Sequence, residues 1–176
     1  LQLLSCDSTT GWTENSSVTV SAASAQQEGS GAIHVDVAGG GYCEKGVPSG
    51  SQGSVWNSYD GIRFWVRGTS GAEWGGIQLL YDDSSYYRCY ATFPIQQGTW
   101  TEVTIPWREF TQRNYQGPIE DHLDEVFQVL FVNMIEHSDT VNRGVDAIQA
   151  YDIDDIRLVD SLTLDTTPMG TGDIRN

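Results

Sequence analysis

The chain has almost no lysine. Lys45 stands alone, and the other eight of its nine basic residues are arginines. Against them are 24 acidic residues, for a net charge of -15. Such a field repels nucleic-acid phosphates and anionic membranes, so neither is an expected partner. It also repels acidic polysaccharides, except over a local basic patch, and it favours bound cations. No apolar run nears the roughly 20 residues of a membrane-spanning helix, and no basic stretch leads into an apolar one as in a signal peptide. Cysteine is scarce. Cys6, Cys43 and Cys89 are an odd set that permits one disulfide and one free thiol. The low lysine content and acidic balance suit an extracellular protein, so secretion is the expected location. Asn15, in "NSS", fits the short glycosylation pattern.

The motifs of several enzyme classes are missing too. There is no phosphate-cradling GxxxxGKS, no GxGxxG between strand and helix, and no GxSxG elbow. His34, His122 and His137 join no HExxH or CxxC pattern that would hold zinc. His122 stands among Glu120, Asp121, Asp124 and Glu125, the composition of a solvated acidic turn. A pair of carboxylates for glycoside hydrolysis meets in space rather than in sequence, so that chemistry stays open.

What is present is a run of short strands. "SVTVSAA", "AIHVDVA", "GIRFWVRG", "GIQLLYDD", "YYRCYATF", "TEVTIPW", "FQVLFVNM" and "AYDIDDIRLVD" are separated by Gly, Ser, Asn and Asp. Helical period is confined to "PIEDHLDEVF", Pro118 to Phe127, where Pro and the first acids predict about two turns of helix. The pattern predicts an all-β fold, a β-sandwich, over 1–160. Residues 161–176 lose periodicity and read as a C-terminal tail or linker to another module.

Alternation assigns faces. Ile62, Phe64 and Val66 share one side of their strand, and Arg63, Trp65 and Arg67 the other. In "YYRCYATF", Tyr87, Cys89, Ala91 and Phe93 are the apolar set. Tyr86, Arg88, Tyr90 and Thr92 lie opposite, and a Tyr–Arg–Tyr face suits recognition, although tyrosine is also a good strand former at a half-buried surface. Past the strand "TEVTIPW", the stretch "QRNYQGP" gathers Arg113, Asn114, Tyr115 and Gln116. Alone it reads as a Gly-Pro turn. Beside the tyrosine face it fits a sugar, whose C–H side stacks on aromatic rings and whose hydroxyl rim meets planar guanidinium and amide groups.

In order, "LLSCDSTTGW", "VSAASAQQEGSGAIHV", "YDGIRFWVRG", "GTWTEVTIPWREF" and "YDIDDIRLV" resemble the jelly-roll carbohydrate-binding modules. The resemblance is closest to family 11 modules and the related CIA30-type galactose-binding-like domains, over Leu3 to Val159. It implies a sandwich with one concave face that binds β-glucan chains, typically mixed-linked β-1,3-1,4-glucan. It implies no catalysis of its own, a covalently linked glycoside hydrolase or lyase, and a monomer. Arg113, Tyr115 and Gln116 match the family's sugar-contacting residues in type, and Asn114 replaces an acid. Tyr42 in "GGGYCE" corresponds to a cleft tyrosine, whereas Asn133 stands where the family has another. The family's structural Ca2+ would be held by Asp7, carbonyls near Glu28, and Asp154, with Asp155 its neighbour; calcium takes six to eight oxygens of these kinds.

Three cysteines allow three pairings. The one expected is Cys43 with Cys89, on segments expected to face each other across the sheet, with Cys6 free. Two other functional classes remain open: a jelly-roll polysaccharide-cleaving enzyme, and a CIA30-like protein-interaction domain.

Overall fold

The protein is described by a computed structural model that covers residues 1–14, 18–37, 42–47, 53–71, 74–82, 85, 87–112, 117–132 and 149–160. Twelve strands run in chain order: β1 (Gln2–Leu4), β2 (Trp12–Glu14), β3 (Val18–Ala22), β4 (Ile33–Val37), β5 (Tyr42–Gly46), β6 (Gly61–Ser70), β7 (Trp74–Tyr81), β8 (Tyr87–Pro94), β9 (Thr101–Pro106), β10 (Thr111–Gln112), β11 (Val126–Val132) and β12 (Gln149–Val159). Among the described residues they form two six-stranded sheets. The first has the order β3-β4-β12-β6-β9, with β1 paired to the far end of β12; the second is β10-β8-β7-β11-β5-β2. All the named strand pairings are antiparallel.

The core lies between the sheets because each strand turns its apolar alternate residues inward. Ile62, Phe64 and Val66 of β6 are fully buried, as are Ile77, Leu79 and Tyr81 of β7, while Arg63, Trp65 and Arg67 are half-buried on the other side. Phe64 of the first sheet meets Phe93 and Phe131 of the second edge-to-face, with centroids 4.9 and 5.3 Å away. That is the favoured aromatic geometry. β7 approaches β8 closely at Gly75, where a Cβ would collide with the Phe93 ring.

The segment predicted as helix forms two single 3-10 turns, Ile119–Asp121 and Leu123–Glu125, and then enters β11. Nucleating an α-helix is costly over so few residues. Here Ile119 and Leu123 reach the core from tight turns instead. The predicted tail, 161–176, lies outside the described residues.

Candidate functional site

The second sheet turns an unusual outer face away from the core. On β7, inward Ile77, Leu79 and Tyr81 leave Gln78 and Leu80 on the outer side. On β8, inward Cys89, Ala91 and Phe93 leave Arg88, Tyr90 and Thr92. By the same alternation β11 contributes Leu130, and β5 contributes Tyr42 and Glu44. Register lines these up. Tyr90, Gln78, Leu130 and Glu44 form one row across four strands, and Arg88, Leu80 and Gln128 form the next.

Three predicted binding residues, Tyr42, Arg88 and Tyr90, therefore share one face, each half-buried. Tyr42 lies three strand spacings from Tyr90, about 14 Å at about 4.8 Å per strand. Leu80 and Leu130 make a small apolar cluster separate from the core, with Tyr42 and Phe127 packed against it. Gln78 is only 1% exposed, yet among the described residues neither its Nε2 nor its Oε1 has a hydrogen-bond partner. Sequence reading passed over Gln78, Leu80 and Leu130. Gln78 and Leu80 are legible in the alternation of "GIQLLYDD", and Leu130 in that of "FQVLFVNM".

Tyr86, Arg113, Asn114, Tyr115, Gln116 and Asn133 lie outside the described residues. The approach to position 113 is described. β10 pairs Thr111 with Tyr90 and Gln112 with Cys89, at the edge of the same sheet. The Tyr81 hydroxyl donates to Gln112 Oε1 at 2.5 Å. Its ring stacks on His122 with centroids 5.0 Å apart. Burial, chiefly, pushes the Tyr81 hydroxyl up to about 12.

The outer face of the first sheet carries a charged network. Asp152, 1% exposed, accepts from Arg67 Nε at 2.9 Å and also from its Nη2, and its other oxygen lies 2.7 Å from His34 Nδ1. Arg67 in turn lies over the Trp100 ring, 5.3 Å from its centroid. Both Asp152 oxygens are engaged, which is how a buried charge is tolerated.

At one corner the loop 26–31 is gripped from two sides. Asp7 Oδ1 accepts from the backbone N–H of Ser30 at 2.6 Å and of Gly31 at 2.9 Å, and from the Ser30 hydroxyl. These bonds hold its carboxyl below the usual aspartate value. Gly29 has φ +61°, and a Cβ there would stand 2.5 Å from Asp7 Oδ1, so the cradle needs glycine. Asp154 Oδ2 accepts from the N–H groups of Gln27 and Glu28 at 2.9 and 2.8 Å. Its Oδ1 is buried without a partner among the described residues. Burial raises the Asp154 carboxyl, and the Glu28 and Gln27 bonds oppose that.

Asp7, Glu28 and Asp154 thus meet at one loop. Among the described residues no three His, Cys, Asp or Glu side chains surround one point. A calcium ion here would rely on backbone carbonyls beside the orphaned Asp154 oxygen, and a buried carboxylate oxygen with no donor fits that use. The Glu28 side chain itself is exposed.

The expected disulfide is corrected. Cys43 on β5 and Cys89 on β8 are in one sheet with β11 and β7 between them. That is about 14 Å of strand spacing, and a disulfide needs Cα atoms within about 7 Å. All three thiols are free and buried. Burial raises each of them, Cys43 to about 12.

Two stacked antiparallel sheets make a jelly-roll β-sandwich, and the outer side of one carries aromatic and amide groups. The family profile described as "Carbohydrate binding domain (family 11)" matches residues 5–158, and the chain belongs to that family. Solved structures agree on the fold. A family 11 module from Clostridium thermocellum, in complex with a β-1,3-1,4-mixed-linked tetrasaccharide, superposes with a TM-score of 0.69 at 14% identity, covering 92% of this chain and 96% of that one. The family 11 module of the cellulosomal cellulase Lic26A-Cel5E of the same organism gives 0.67 at 14%, with 91% and 94% covered. The family 30 module of the cellulosomal cellulase Cel9D-Cel44B, again from Clostridium thermocellum, gives 0.56 at 13%, with 81% and 83% covered. No curated protein matches in sequence.

Proposed function

We propose that this module binds single chains of a neutral β-glucan on the outer face of β5, β11, β7 and β8. The observation that carries the reading is the row Tyr90–Gln78–Leu130–Glu44, with Tyr42 and Arg88 beside it. Rings offer stacking surfaces for the apolar side of a sugar, and the guanidinium and amide offer hydrogen bonds to its rim. The neighbour that holds a mixed-linked β-1,3-1,4 tetrasaccharide supports that ligand class. The module adds no chemistry. It keeps an appended, secreted polysaccharide-degrading enzyme near its substrate by raising the effective concentration. A calcium ion at the Asp7–Asp154 corner has a stabilising part only.

The test is calorimetric titration of wild type, Tyr90→Ala and Tyr42→Ala with soluble mixed-linked β-glucan at low and high salt. A stacked ring with a hydroxyl hydrogen bond contributes roughly 1–3 kcal/mol, so either variant should lose about tenfold or more, at about 1.4 kcal/mol per decade. Affinity should be nearly flat with salt, because the ligand has no charge. Full affinity in both variants would move the site elsewhere.

A further inference from the structure

Gln78 stands out because of what it lacks. It projects from the middle of β7, flanked in its row by Tyr90 on β8 and Leu130 on β11. Its inward neighbours Ile77 and Leu79 belong to the main core. The outer cluster of Leu80 and Leu130 lies beside it. Although 1% exposed, its amide meets no partner among the described residues at either the nitrogen or the oxygen. A buried amide is ordinarily hydrogen-bonded, and leaving one unmatched is costly. Glutamine is also a poor choice for a purely structural strand position, where an apolar side chain of similar shape would fill the space without that cost.

We infer that Gln78 is a specificity-determining residue of the glycan face, reading a pair of neighbouring hydroxyls on one sugar ring. This rests on the proposed binding function. An amide presents a donor and an acceptor side by side in one plane. A vicinal diol presents the complement, one hydroxyl accepting and the next donating. The surroundings suit that use. Leu80 and Leu130 exclude water around the amide, so a hydrogen bond formed there counts for more than one at an exposed rim. The half-buried Tyr90 directly opposite supplies a ring next to the same point. Because Gln78 lies below the surface, 1% exposed, the ligand reaches it only when the side chains that cover it move aside.

The idea makes a joint demand on affinity and stability. Gln78→Met keeps the length of the side chain and removes the unmatched polar atoms. The melting temperature should be unchanged or higher, while affinity for soluble mixed-linked β-glucan falls about tenfold or more. A residue that only fills space gives unchanged affinity, and that result overturns the inference. A second readout needs no variant. In the labelled wild-type protein, the side-chain NH2 pair of Gln78 should shift on titration with the same glucan and exchange more slowly at saturation. If wild type binds the glucan and this pair does not move, the inference fails while the binding function stands. If wild type binds no neutral β-glucan at all, both fail together.

Discussion

The hydroxyl of Tyr81, at the end of β7, donates to the side-chain oxygen of Gln112 at 2.5 Å and ties the last residue of β10 to the core. The bond joins the sheet interior to the strand that leads to the Arg113–Gln116 stretch. Tyr81→Phe should lower stability by about 1 kcal/mol, the net value of a neutral hydrogen bond, and more where the Gln112 amide is left wholly unmatched, since its Nε2 already has no partner. The sign with pH follows. The folded state holds the Tyr81 proton up to about 12 against an ordinary 10. Its share of stability is complete below 10 and is lost as pH rises toward 12. Denaturant melts of wild type and Tyr81→Phe across alkaline pH should show that component only in wild type.

Arg67 and His34 together hold the buried carboxylate of Asp152. Removing a partner from a buried ion pair strands a charge and costs about 3–5 kcal/mol. Arg67 reaches the surface, so Arg67→Met should fall near the low end, about 3 kcal/mol, with some of it from the lost stack on Trp100. Glycan affinity should not change in the folded variant, because this network belongs to the other sheet. Chemical denaturation and calorimetric titration of one sample check both halves.

The calcium proposed at Asp154 would be linked to pH. Its carboxyl is raised in the folded state, mainly by burial, so without an ion the fold favours the protonated form and loses stability as pH rises through that raised value. Asp7 runs the other way. Its lowered value gives stability that is present above the ordinary 3.8 and lost as pH falls below it. An ion bound only to the folded state adds roughly 2.7 kcal/mol at a hundredfold excess over its dissociation constant. Chelation at neutral pH should therefore lower the melting temperature, added calcium should restore it, and Asp154→Asn should abolish both responses. Coincident melting curves with and without chelator would remove calcium from the account.

With all three thiols buried and unpaired, a reductant should leave the melting temperature unchanged. A thiol reagent should label the native protein slowly and the unfolded protein at all three positions. A single reactive thiol in the denatured, unreduced protein would restore the disulfide.

The alternation of apolar residues, read strand by strand, determined the all-β sandwich and the inward set at Ile62, Phe64, Val66, Cys89 and Phe93, because a period of two puts alternate residues on opposite faces. It also placed Arg88 and Tyr90 together on the outer side. Cross-strand register was a different matter, since it depends on pairings between distant segments that no local pattern contains. Register put Gln78 between Tyr90 and Leu130, and strand order put two strands between Cys43 and Cys89. The same holds at the loop 26–31. Its grip by Asp7 and Asp154 comes from β1 docking along β12, far away in the chain. Local physics chose the strands and their faces. Only the pairing of distant strands in the sheet decided what surrounds the buried amide of Gln78.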